Sequence, residues 1–124
     1  MLTTAKNVLE YKGYVATFGY DDSADAFHGR LVGIRDVVDF YGRDVEGLKA
    51  EMRESVEEYL AFCAERGVEP EKTWSGKMTI RPDDEQHRRF VAAAAVRGRS
   101  VNQWMVEVLD RESRETIAEV PRVG

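Results

Sequence analysis

The strongest constraint on this chain lies in its last third. Residues 76–113 run in a fixed order: the alternating stretch Lys77-Met78-Thr79-Ile80-Arg81, a stop at Pro82, a helical stretch over 83–97, Gly98, and a second helical stretch opening at Ser100. The five residues 77–81 read as a strand, because apolar Met78 and Ile80 alternate with polar neighbours. The next stretch has Asp83 or Asp84 at its start, Phe90, Val91 and Ala94 on one side, and the run Ala92-Ala93-Ala94-Ala95, which favours helix and close packing. Gly98 is placed as a left-handed helix stop. Ser100-Val101-Asn102-Gln103 fits a capping box, and Val101, Trp104, Met105, Val108 and Leu109 then fall on one helix face.

A lone strand leaves backbone donors and acceptors without partners. A segment of about 40 residues is also too short to bury a stable core unaided. Both problems vanish if two copies pair their strands antiparallel about a two-fold axis. Met78 and Ile80 then enter a shared four-helix core, together with Phe90, Trp104, Met105 and Val108. Lys77, Thr79 and Arg81 form an outward row, doubled by symmetry, on a ribbon that fits the DNA major groove. Lys and Arg donate to guanine, and Thr offers a hydroxyl or a methyl. The capped helix start presents Ser100, Val101 and Asn102 to a DNA phosphate. The expected partners are therefore a second copy of the chain and DNA.

Charge agrees with this division. The net charge is −5, but residues 1–72 hold nine Lys/Arg against fifteen Asp/Glu, and residues 73–124 hold nine against eight. DNA binding depends on the local field, not on the chain total. An acidic front and a more basic back suggest two tasks.

The front segment reads as β-β-β-α. Residues 9–20 are rich in aromatic and β-branched residues and read as one strand; Asp21–Asp25 read as a turn; Phe27–Ile34 and Val37–Tyr41 read as two further strands. A helix follows, with Asp44 as N-cap, Glu46 in its first turn, and Gly67 as its stop. Val45, Leu48, Met52, Val56, Tyr59, Leu60 and Cys63 make one apolar stripe along it. Residues 68–75, with Glu69-Pro70-Glu71 and Trp74, read as a linker, and the tail from Arg114 to Gly124 as flexible. The expected fold class is thus α+β.

Composition, 43% hydrophobic and 33% charged, is that of a soluble chain. No apolar run reaches the roughly 20 residues of a membrane helix, and Met1–Lys6 lacks the apolar segment of a secretory signal. The single cysteine, Cys63, makes no internal disulfide and no zinc site alone. A cytoplasmic location, with no membrane partner, is expected.

The sequence resembles the HicB family of antitoxins from type II toxin–antitoxin systems, over residues 11–112. The resemblance rests on Tyr11-Lys12-Gly13-Tyr14, Phe27-His28-Gly29-Arg30, Gly33-Ile34-Arg35-Asp36-Val37-Val38, Arg53–Leu60 and Cys63–Gly67 at the front. At the back it rests on Ser75-Gly76-Lys77, His87-Arg88-Arg89 and Ser100–Trp104. Pro82 and Gln86 depart from the family, which often has an apolar residue and a Leu there. The resemblance implies a partial RNase-H-like domain over 1–72 that binds and neutralises a HicA-type toxin, a small RNA-cleaving protein. It further implies a ribbon-helix-helix domain over 76–113 that represses its own operon, with Lys77, Thr79 and Arg81 as base-reading positions. A stand-alone regulator with no toxin partner is the alternative.

No catalytic, metal or cofactor site is expected. His28 lacks His or Cys companions for a metal and reads as structural, and His87 as a helix-face residue. Asp21, Asp22 and Asp25 read as turn formers, not a calcium loop. An RNase-H-type nuclease would need carboxylates at the strand centres to hold two metals, and the predicted strands carry none there.

Overall fold

The computed structural model describes residues 7–70 and 76–124. The chain forms two compact units: Met1–Ser75 together with Glu119–Gly124, and Gly76–Ala118. As a whole it is α+β, a four-stranded antiparallel sheet followed by three helices.

The first unit is a meander of β1 (Val8–Tyr11), β2 (Tyr14–Asp21), β3 (Ala26–Val32) and β4 (Asp39–Gly42), in that order across the sheet, crossed by α1 (Val45–Arg66). The single strand predicted over 9–20 is in fact a hairpin. Lys12 and Gly13 turn the chain at φ 52° and 85°, so that Tyr11 pairs with Tyr14. Two successive left-handed residues match the twist of a two-residue hairpin, and Gly13 takes that conformation without steric cost. The Glu10 carboxylate accepts the Gly13 N–H at 2.6 Å, closing the turn. The Asp21–Asp25 segment does form a turn: the Asp21 carboxylate accepts from the backbone N–H and the hydroxyl of Ser23, at 3.0 and 2.7 Å. The strand predicted over 37–41 runs from Asp39 to Gly42, and just before it Val38 O accepts the Leu31 N–H at 3.1 Å.

The α1 boundaries follow the predicted caps. Asp44 accepts the Gly47 N–H at 2.6 Å. Gly67 is left-handed, and its N–H and that of Val68 return to Ala64 and Cys63. Leu48, Met52 and Val56, at four-residue spacing, are fully buried against Leu9, Ala16, Leu31 and Phe40 from the four strands. The helix lies close on the sheet: a Cβ at Gly42 would run into the backbone of Leu48.

The segment predicted as a flexible tail from Arg114 departs from expectation. The third helix continues to Ala118, and residues 119–124 return to the first unit. There Glu10 N–H donates to Pro121 O and Val123 N–H to Glu10 O, both at 2.8 Å. Arg53 adds a bond to Val123 O at 3.0 Å, and Val120 is buried. The physical reason is the edge position of β1, whose outward backbone groups need a partner.

The second unit holds α2 (Asp84–Val96) and α3 (Val101–Ala118). Asp83 caps α2 in a complete capping box with Gln86, at 2.8 and 3.0 Å. Gln86, which departs from the family pattern, thereby helps to start this helix. Gly98 is left-handed at φ 67°, and Ser100 and Gln103 form the predicted box on α3, at 3.0 and 3.1 Å.

Candidate nucleic-acid interface

The strand predicted over residues 77–81 is not formed: the segment is neither helix nor paired strand, and its residues are exposed. A strand is defined by the hydrogen bonds of its neighbour, and the single chain supplies no neighbour here. Met78 is 95% exposed and Ile80 46%. Lys77, Thr79 and Arg81 are exposed as well, so the proposed base-reading side chains are free of protein cover.

The proposed phosphate contacts stand at the start of α3. Ser100 and Asn102 are exposed and Val101 is half-buried. The capping box occupies the N–H groups of Ser100 and Gln103, which leaves the first turn of α3 to offer those of Val101 and Asn102. The Ser100 hydroxyl is used inward, as an acceptor, by its own helix.

The expected dimer core is assembled only in part. Phe90 of α2 and Trp104 of α3 meet with ring centroids 5.7 Å apart. They, Met105 and Val108 are half-buried, while Met78 and Ile80 stand outside. Ala94 is the only fully buried hydrophobic residue among the described residues of this unit. Beside Trp104 and Val108 lies a cleft of about 790 Å³, which Arg97, Arg99 and Arg111 also line. Arg99 is paired there with Glu107 at 3.2 Å. Nothing local in the sequence joins these three arginines, since Arg97 and Arg99 lie between α2 and α3 and Arg111 lies well along α3.

The first unit carries its own polar cluster on the outer sheet face. Arg30 donates twice to Asp39, at 2.6 and 3.1 Å, and His28 Nε2 lies 3.0 Å from the same carboxylate. His28 also stacks on Tyr41, with centroids 4.7 Å apart. The Arg30 hydrogen bond, with a further bond from His28, holds the Asp39 carboxyl below the usual carboxylate range, against a smaller opposing effect of burial. This is the structural use that the sequence suggests for His28. Toward the β1 edge of the sheet, Lys12 and Tyr11 both bond Glu57, at 2.7 Å each, and keep its carboxyl low. Cys63 is buried on the apolar face of α1. Trp74 lies outside the described residues.

Among the described residues, no group of three or more His, Cys, Asp or Glu side chains is placed to hold a metal ion. No helix among them is long and apolar enough to cross a membrane.

The architecture is thus that of an α+β protein with a sheet-bearing acidic unit and a helical unit of incomplete core. The HicB family model matches residues 59–109, from the second half of α1 to the middle of α3. Searches of curated proteins and of solved structures returned no match.

Proposed function

We propose that this chain is an antitoxin that neutralises a HicA-type RNA-cleaving toxin by direct binding and represses its own operon by binding operator DNA. It acts by covering partners, with no catalysis of its own. The first unit, read as a partial RNase-H-like domain, takes the toxin. The second unit, read as a ribbon-helix-helix module, pairs with its twin and takes the DNA. The HicB match supports the antitoxin role.

The observation that carries the DNA-binding half is the state of the second unit. It buries only Ala94 and leaves Met78 and Ile80 in solvent, next to exposed Lys77, Thr79 and Arg81. A unit this small needs further apolar cover to be stable. Antiparallel pairing of residues 77–81 between two copies supplies that cover and the missing ladder at once, and turns the polar residues outward.

The test is operator binding by the full chain in a mobility-shift assay. Lys77→Ala, Thr79→Ala and Arg81→Ala together remove four cationic base contacts per dimer. At roughly 1–3 kcal/mol per contact, affinity is expected to fall by at least about a thousandfold while the dimer persists. Sequence-specific binding at unchanged affinity overturns the assignment.

A further inference from the structure

The first unit holds a second concave surface, between the β3–β4 connection and α1. A cleft of about 530 Å³ is lined on one side by Asp36–Asp39 and on the other by Ser55, Glu58, Tyr59 and Phe62. The α1 residues stand on successive turns of one helix face. Tyr59 is buried and forms the floor, whereas Val37 is 70% exposed and Phe62 48%.

The charges of this cleft are of one sign. No Lys or Arg lines it. Asp39 is engaged by Arg30 and His28, but Asp36 and Glu58 form no ion pair among the described residues. The Tyr59 phenol is pushed up to about 12, first by burial, then by its bond to Cys63, with the Asp36 charge a lesser contribution.

Apolar walls beside unpaired carboxylates suit a long cationic side chain, whose methylene stem packs on the walls while its head meets the charge. Phe62 already accepts such a group on its ring: the Arg66 guanidinium lies 4.7 Å from its centroid. A nucleic acid is disfavoured, since its phosphates would face these carboxylates. The net charge of the surrounding segment, nine Lys/Arg against fifteen Asp/Glu over residues 1–72, draws a basic protein to the same side.

We infer that this cleft is where the first unit grips its basic protein partner, by seating a lysine or arginine side chain between Asp36 and Glu58 while the partner's surface covers Val37 and Phe62. The inference rests on the toxin-binding reading above and names the surface that performs it.

The test is isothermal titration of the full chain with a HicA-type toxin. Asp36→Lys with Glu58→Lys is compared with Asp22→Lys with Glu54→Lys, which changes the net charge equally at exposed residues outside the cleft. All four side chains are exposed, so the fold and operator binding are expected to be retained. The cleft variant is expected to weaken toxin binding at least tenfold, and the control less than threefold. A cleft variant that binds like the control overturns the inference and leaves the toxin-binding reading intact. A wild-type chain that does not bind the toxin overturns that reading, and the inference with it.

Discussion

Replacing Met78 by alanine separates the single chain from the paired one. Met78 is 95% exposed in one copy, so the substitution removes almost no packing from the isolated chain. In the proposed dimer each copy buries it. Full burial of such a side chain is worth roughly 1.5–3 kcal/mol. Trimming it to a methyl forfeits about 2 kcal/mol, with a further cost if a cavity remains. Two-fold symmetry counts the loss twice, about 4 kcal/mol per dimer, or about a thousandfold in the dimer dissociation constant. Ile80 is already 46% exposed rather than free, so Ile80→Ala is expected to cost about half as much. Sedimentation equilibrium over a dilution series measures both. A shift of less than threefold for Met78→Ala, with the circular dichroism unchanged, refutes the burial of this residue between copies.

Three further outcomes concern the units separately. Deleting residues 119–124 removes two backbone hydrogen bonds to Glu10 and the buried Val120; the first unit is expected to lose about 2 kcal/mol, and the Glu10 amide to exchange faster by hydrogen-exchange mass spectrometry or NMR. Asp39 has a folded-state pKa below its unfolded value, so its contribution to stability is full at neutral pH and is lost as pH falls below about 4 and through the folded pKa. Arg30→Gln is expected to raise the Asp39 pKa and blunt this acid sensitivity, which a carboxyl-carbon NMR titration reports; an unmoved titration contradicts the pairing. Ser100→Ala breaks the capping box on α3 and is expected to cost about 1 kcal/mol, seen as a lower urea midpoint.

The helices were legible because their signals are local. Asp44, Gly67, Gly98 and Ser100 mark boundaries through contacts within three or four residues, and the stripe Leu48–Met52–Val56 repeats at helical period. The β1–β2 hairpin was hidden because Lys12-Gly13 sits inside an aromatic run, and Lys seldom takes a positive φ. The docking of residues 119–124 on β1 joins positions more than a hundred residues apart, and no periodicity announces it. The cleft beside Phe62 was equally silent, since Asp36 and Glu58 come to line one cleft only once the sheet lies on α1. Residues 77–81 pose the opposite case: their alternation is plain in the sequence, but within one chain they form no ladder, and the proposed pairing between two copies would supply it.

Isotope-filtered NMR on a mixed sample, half the chains labelled with carbon-13 and nitrogen-15, addresses that ladder directly. Cross-peaks between α-protons of residues 77–81 on labelled and unlabelled chains are the expected result. Their absence in a sample shown to be dimeric, or α-proton contacts confined to one chain, contradicts the proposed ribbon.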